Sequence, residues 1–303
     1  MSNVYLEQAA RGLNQPWRYV LTAILLGLSV TLFNVPYSVF VYLAAQRAGD
    51  TGFRFDLAAG VVENMPFPVF MVGMVSFVVM LGMLAICVRA LHKRPFTSLL
   101  GQEGGFRLGI VVKAAAGTFA VLGVATLVNV LVDGDSFRVN FEAGRFFSAV
   151  LLTLALVPLQ AAAEELLYRG WLMQGLYRLV LRPWFAVGVS SLMFWVAHLP
   201  NPEASATPVG AAAYYLAVGS LLAWLTLRTG RLEAAIGVHT GLNLCSFLVA
   251  SPESMMFQAA SIFVDVRPGS ARDLVLVALL AGSLFLVLRR GKRRAGLHPV
   301  AVR

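Results

Sequence analysis

The segment VLLTLALVPLQAAAEELLYR (residues 150–169) places two adjacent acids, Glu164 and Glu165, at the end of a long apolar run, with Arg169 just beyond them. A bilayer core disfavours each ionised side chain near its middle by about 3 kcal/mol or more, so acids in such a run usually indicate function. On a helix, Glu165 and Arg169 lie one turn apart in the favoured acid-to-base order. Glu164 points about 100° away and needs another partner.

The composition of the whole chain assigns it to the membrane. Of its 303 residues 58% are hydrophobic and only 13% are charged, and the mean hydropathy is +0.76. Soluble domains usually have about a quarter of their residues charged. The two cysteines, Cys87 and Cys245, fall in apolar stretches, so we expect them to be buried and free. The net charge of +9 is spread over many loops. It therefore favours a lipid bilayer, and no nucleic acid, as a partner.

Apolar segments near the roughly 20-residue length that spans a bilayer recur along the chain. About eight are found, at residues 19–45, 68–88, 108–132, 147–167, 184–199, 208–227, 232–249 and 274–288. No linker or soluble domain separates them. The predicted fold is therefore all-α, a polytopic membrane helix bundle with about eight transmembrane helices.

The basic residues predict the orientation of these spans. With both termini in the cytoplasm, 18 of the 24 Lys and Arg residues fall on or near the inner side. The remaining six are Arg47, Arg54, Arg138, Arg145, Arg267 and Arg272. The positive-inside rule thus predicts a multi-pass protein of the cell membrane with both termini cytoplasmic.

Polar residues are scarce in the second half of the chain, and two short patterns contain most of them. His198 ends FWVAH (residues 194–198), and HTGLN (residues 239–243) begins with His239 and ends with Asn243. Since His239 and Asn243 are four apart, a helix aims both at one point, where they could donate hydrogen bonds to a developing oxyanion. His92 sits in a basic flank, and we expect it simply to be solvated.

Each of these residues also has a purely structural interpretation. A histidine inside a membrane can be a packing hydrogen-bond donor, and an asparagine can be an interhelical contact that contributes under about 1 kcal/mol. An unpaired Glu, two His and one Asn from three separate spans are explained poorly by packing alone. We therefore expect them to converge on one site.

Convergence with His198 requires a particular path for the chain between the fourth and fifth spans. We expect Gly170 to end the helix that carries Glu164. Residues 170–182 would then run along the interface, and the fifth span would begin near Gly188. Trp171, Tyr177 and Trp184 are suitable interfacial anchors for that segment.

The three patterns, EELLYR at residues 164–169, FWVAH and HTGLN, resemble the ordered motifs EExxxR, FxxxH and HxxxN of the CPBP intramembrane proteases. These are the CAAX-protease and bacteriocin-processing proteins, also called the Abi family, which include the Ras-converting endopeptidase. The resemblance covers about residues 146–250, and it divides the chain into three parts. Residues 1–145 hold three N-terminal spans, 146–250 the catalytic helices, and 251–303 the last span and a basic cytoplasmic tail.

The resemblance implies an all-helical membrane endopeptidase that cuts a peptide bond near the membrane surface. Glu164 with His198 would activate a water molecule, while His239 and Asn243 would stabilise the tetrahedral oxyanion. The implied supporting pair, which would hold the helix of Glu164 in place, is Glu165 and Arg169. The implied partner is a peptide or protein substrate, membrane-anchored or lipidated in some members; cleavage of prenylated C-termini rests on analogy alone.

Two alternatives stay open at this point. Glu164, His198 and His239 also form a plausible two-His, one-carboxylate set for zinc, although this use leaves Asn243 as the only oxyanion donor and no evident base. A metal-free mechanism uses the residues more economically. A membrane immunity or scaffold protein that binds a peptide without cutting it would have the same sequence, whereas a transporter would usually show repeated halves, which we do not find.

Overall fold

The computed structural model describes residues 3–48, 54–56, 61–63, 65–101, 105–253, 255, 257–267 and 270–294, and most of them are helical. The helices are α1 Pro16–Ala48, α2 Phe67–Gly73, α3 Val75–Ala90, α4 Leu108–Val132, α5 Ala143–Glu165, α6 Gln174–Val180, α7 Pro183–Ala197, α8 Pro202–Ala206, α9 Pro208–Thr229, α10 Glu233–Leu248 and α11 Ser270–Arg294. A π-helical turn, Leu166–Met173, joins α5 to α6. Short 3-10 turns occupy Leu6–Arg11, Phe96–Leu99 and Gly134–Ser136.

The predicted all-α polytopic bundle is confirmed. Within the described ranges, five helical segments are long and apolar enough to cross a membrane: Pro16–Arg47, Phe67–Ala90, Leu108–Val132, Ala143–Val180 and Pro208–Thr229. The other three predicted spans overlap α7, α10 and α11. Because α7 and α10 have only 15 and 16 residues, the predicted number of eight spans is not confirmed and stays a prediction.

Two small β-structures accompany the helices. Strands β1 (Arg54–Asp56) and β2 (Val61–Glu63) pair antiparallel. Strands β3 (Phe137–Val139), β4 (Ala250–Pro252) and β5 (Phe263–Asp265) form a sheet in the order β3-β5-β4, in which β3 is antiparallel and β4 parallel to β5. This sheet lies where α4 and α10 end and α11 begins. We call that end of the bundle the sheet face, and the opposite end, where α1 begins and α3 and α9 end, the terminal face.

Helix α10 is the most enclosed long helix of the described structure, with 13 of its 16 residues buried. It packs mainly against α4 and α5. A Cβ atom at Gly237 would lie 2.4 Å from the carbonyl oxygen of Val111, and one at Gly241 would lie 2.6 Å from that of Ala115. Small residues four apart allow helices in a membrane to approach closely. The polar residues of α10 therefore face other helices and not lipid.

The path between Glu164 and His198 differs from the expected one. The helix does not stop at Gly170 but continues to Val180 and ends at Leu181, which has a left-handed φ of 55°. Helix α7 then begins at Pro183 and not near Gly188. The continuous helix from α5 to α6 and the following helix α7 form a hairpin. At about 1.5 Å per residue, Glu164 lies about 24 Å before the end of α6, and His198 lies about 22 Å after the start of α7. The hairpin thus brings both side chains to one level.

Gly170 allows the helix to pack closely against Leu99, because a Cβ atom at residue 170 would lie 3.1 Å from the Cβ atom of Leu99. Two of the three expected interfacial anchors are also buried, Trp171 and Tyr177, and only Trp184 is exposed. The prediction was wrong for these residues because the N-terminal segment and the loop after α3 fold over the helix that continues past Gly170.

His92 is likewise buried and not solvated as expected. Its Nε2 accepts a hydrogen bond from Nε1 of Trp171 at 3.1 Å, and its Nδ1 lies 3.1 Å from the carbonyl oxygen of Leu13. Burial lowers the pKa of His92 to about 4, so the ring is neutral near pH 7. The predicted burial of the two free cysteines, Cys87 and Cys245, is confirmed.

Candidate active site

A cavity of about 700 Å³ lies among the helices of the bundle, and its wall contains Glu164, His198, His239 and Asn243. These residues come from α5, the end of α7 and α10, so the structure brings together the four residues that were predicted to converge. The supporting pair, Glu165 and Arg169, lies behind the wall and is fully buried.

The pair between Glu165 and Arg169, predicted from their spacing, is confirmed by a distance of 2.7 Å between Nη1 and Oε1. Arg169 Nη2 also donates to the carbonyl oxygen of Gly219 on α9 at 3.0 Å, and the guanidinium lies 4.7 Å from the ring centre of Phe194. The arginine therefore ties α5 to α7 and α9. A buried ion pair of this kind needs such additional contacts to offset the cost of desolvation.

Glu165 has a second partner that the sequence did not reveal. Its Oε1 lies 2.8 Å from Nδ1 of His239 on α10. Because a carboxylate oxygen accepts, Nδ1 of His239 carries a proton and donates. The ring then turns Nε2 toward Glu164, whose Oε2 is 3.6 Å away. The two neighbouring acids thus face opposite sides of one imidazole, and Glu165 is the one hydrogen-bonded to it.

Glu164 is oriented by Gln160, one turn earlier on α5. The Gln160 amide donates to Oε1 of Glu164 at 2.8 Å, and its own oxygen accepts from Nδ2 of Asn243 at 2.8 Å. One side chain therefore links the acid of α5 to the amide of α10. The sequence analysis missed Gln160. Its signal was an amide four residues before Glu164 inside the apolar run, a spacing at which helical side chains interact.

His198 follows the last residue of α7, and its ring is held by its neighbours. Its Nδ1 lies 2.7 Å from the carbonyl oxygen of Phe194, so Nδ1 donates and Nε2 is left with a lone pair in the neutral ring. The ring stacks on Tyr215 of α9 with centres 4.2 Å apart, and Phe194 contacts the rings of both His198 and His239. Tyr215 was also missed, because a tyrosine in an apolar helix has no distinguishing pattern.

The charges around Glu165 are nearly balanced inside a buried environment. Oε2 of Glu164 and Oε2 of Glu165 are buried and have no hydrogen-bond partner in the described part of the chain. Two carboxylates and one guanidinium leave one net negative charge.

Zinc bound by Glu164, His198 and His239 was the alternative left open by the sequence. Among the described residues, no group of three or more His, Cys, Asp and Glu side chains is placed to hold one metal ion. Glu164, His198 and His239 line a common cavity without meeting as such a group. We therefore derive no step through a metal.

Comparison with known proteins gives two matches. Residues 146–245 match the family described as type II CAAX prenyl endopeptidase Rce1-like. The chain is also 28% identical over 260 residues to the uncharacterized protein YyaK of Bacillus subtilis (strain 168), across 84% of this chain and 85% of that protein. No solved structure matches the chain. The family match covers all three sequence patterns, from Glu164 to Asn243.

Proposed function

We propose that the chain hydrolyses a peptide bond in a substrate and that Glu164 is the base that activates the attacking water; the match of residues 146–245 to the family described as type II CAAX prenyl endopeptidase Rce1-like supports this proposal. The observation that carries the proposal is the shared cavity, in which a buried, unpartnered carboxylate oxygen of Glu164 lies beside two histidines and an asparagine. These are the groups that hydrolysis without a covalent intermediate requires: a base for water and donors for an oxyanion.

In the first step, Glu164 accepts a proton from a water molecule whose oxygen attacks the peptide carbonyl carbon. His198 assists by accepting a hydrogen bond from that water through its Nε2 lone pair, which is available because Nδ1 is engaged by the carbonyl of Phe194. The new C–O bond forms while the carbonyl electron pair moves to oxygen. A positioned base of this kind contributes roughly 100- to 10,000-fold to a rate.

The oxyanion that forms is stabilised by two donors on α10. His239, held at Nδ1 by Glu165, donates one hydrogen bond from its Nε2 side, and the N–H of Asn243 Nδ2 that does not bind Gln160 donates the other. Removing one such donor typically costs about 3 kcal/mol of transition-state stabilisation. The C–N bond then breaks, and the proton held by Glu164 passes to the departing amine.

The rest of the cavity wall supports a substrate with an apolar flank. Beyond the polar cluster the wall includes a group of sulfur-containing and aromatic side chains, Met65, Phe70, Met74, Phe77, Met80 and Phe247. Methionine and aromatic surfaces adapt to irregular apolar groups. We therefore propose a peptide or protein substrate that is anchored in the membrane by apolar residues or by a lipid.

The test is a comparison of peptide termini in membranes from cells that express the wild-type chain or Glu164→Gln. We expect new carboxyl and amino termini in the wild type only. Glu253→Gln is the matched control, because this exposed acid pairs with Arg138 and neither side chain lines the cavity. It should behave as the wild type. Identical termini in the wild type and Glu164→Gln would contradict hydrolysis and would leave a binding role.

A further inference from the structure

The cavity occupies only the half of the bundle next to the sheet face. Helix α4 contributes Leu122, Thr126 and Asn129 from its second half, and α11 contributes its first residues, up to Val277. Helix α10 contributes nothing before His239. In the described ranges, no residue of 3–33, 81–121, 169–193 or 219–238 lines the cavity.

The other half, toward the terminal face, is filled by packed side chains. Tyr5 and Leu6 are fully buried, and the Tyr5 hydroxyl donates to the carbonyl oxygen of Leu99 at 2.9 Å. Arg94 donates to Gln174 at 2.7 Å, which fastens the end of α3 to α6. The N-terminal segment and the loop after α3 thus cover the catalytic helices on this face.

Hydrogen bonds between loops complete this cover. The backbone N–H of Leu232 donates to the carbonyl oxygen of Leu100 at 3.1 Å, and Gly101 forms a β-bridge with Arg231. A Cβ atom at Gly101 would lie 2.4 Å from the carbonyl oxygen of Gly230. The turn between α9 and α10 therefore packs without a gap against the loop that follows α3.

The distribution of basic residues indicates which face of the bundle lies on the cytoplasmic side of the membrane. The helix ends at the terminal face carry most of the Lys and Arg residues, such as Arg18, Arg89, Arg178 and Arg228, whereas six of 24 fall toward the sheet face. Cytoplasmic loops carry the excess of Lys and Arg. By this rule the filled half is expected on the cytoplasmic side of the membrane and the half with the cavity on the outer side.

We propose that the substrate is a polypeptide segment exposed at the outer, extracytoplasmic surface of the membrane, and that it reaches Glu164 from the sheet face. A lipidated C-terminus on the cytoplasmic side would meet the packed terminal face and could not reach Glu164. That this polypeptide is a substrate rests on the proposed function. The side of the membrane from which the cavity is reached does not depend on that function.

The test measures the side directly by cysteine labelling of the full chain in intact cells, after Cys87 and Cys245 are replaced by serine. Helix α9 offers a matched pair. Thr207 is its N-cap and lines the cavity, and Arg228 is exposed in its last turn. Thr207→Cys and Arg228→Cys would be treated with a sulfonated maleimide, which does not cross the membrane.

We expect Thr207→Cys to be labelled in intact cells at least about tenfold faster than Arg228→Cys, because a charged reagent crosses lipid poorly. Permeabilisation should remove the difference. Should Thr207→Cys fold poorly, Arg138→Cys on the exposed surface of β3 and Arg89→Cys at the end of α3 form the second pair. Labelling of the terminal-face cysteines in intact cells, or of neither pair, would overturn the proposal. Cysteine labelling needs no catalysis. A labelling result against outer access is therefore distinguishable from a failure of the proposed hydrolysis, which would show as an absence of new peptide termini.

Discussion

Nδ1 of His239 lies 2.8 Å from Oε1 of Glu165, and the same oxygen accepts from Nη1 of Arg169 at 2.7 Å. One carboxylate oxygen therefore joins the second acid of α5 to the imidazole of α10 while it also closes a buried ion pair. This geometry makes Glu165 a positioning residue for His239 as well as part of the scaffold.

Glu165→Gln and Arg169→Met separate these two roles. Each should destabilise the protein by about 3–5 kcal/mol, because each leaves a buried charge without its partner. Only Glu165→Gln removes the negative charge next to His239, so it alone should lower kcat per folded molecule, by about 100-fold or more, with KM little changed. Thermal unfolding gives the first quantity and initial cleavage rates the second. Equal losses of kcat in both variants would show that Glu165 has no role beyond the ion pair.

Gln160→Leu should lower kcat by roughly 10- to 100-fold, because Glu164 and Asn243 lose the amide that orients both of them and small misplacements of reacting groups are costly. The matched control is Thr153→Val, which removes a buried hydrogen bond from the same helix and does not line the cavity. Both variants should lose about 1–2 kcal/mol of stability. A similar kcat in the two variants would exclude an orienting role for Gln160.

Gly241→Ala should separate α10 from α4, because its Cβ atom would lie 2.6 Å from a backbone oxygen and 2.7 Å from the Cβ of Thr118. We expect a loss of about 1–3 kcal/mol in stability. Gly117→Ala on the facing helix is the control, since nothing lies within 4 Å of its added Cβ. It should be neutral or stabilise by up to about 1 kcal/mol. Denaturation of both variants in one detergent is the measurement, and a more stable Gly241→Ala would contradict the close packing.

Spacing along one helix and the scarcity of polar residues predicted which side chains belong to the site. The order of Glu165 and Arg169 predicted their ion pair, and the scarcity of polar residues in apolar spans predicted that Glu164, His198, His239 and Asn243 would line one cavity. The family resemblance pointed to the same residues, and the match over residues 146–245 agrees with it.

Contacts between distant segments were not predictable in this way. The bond from Glu165 to His239 crosses 74 positions of the chain, and an apparently complete pair with Arg169 concealed it. Gly170 was expected to stop a helix because glycine often does so, but close contact with Leu99 explains its presence equally well. His92 was assigned to solvent from its charged neighbours, although tertiary packing against Trp171 buries it.

Metal analysis tests the choice between the two catalytic schemes. We expect purified protein to contain less than one zinc per chain and to keep its activity in a chelator, since Glu164, His198 and His239 do not form a three-ligand group. The measurement is elemental analysis together with cleavage rates before and after chelation. If the protein contained one zinc per chain and lost it together with its activity, the metal-free scheme would be contradicted.

The most direct test of the central claim is hydrolysis in ¹⁸O-labelled water by purified protein in lipid nanodiscs, with a pool of membrane-anchored peptides as substrate. The account predicts new carboxyl termini that carry one ¹⁸O atom, and a rate that falls by roughly 100- to 10,000-fold in Glu164→Gln. Equal incorporation of ¹⁸O by the wild type and Glu164→Gln would contradict the role of Glu164 in activating water.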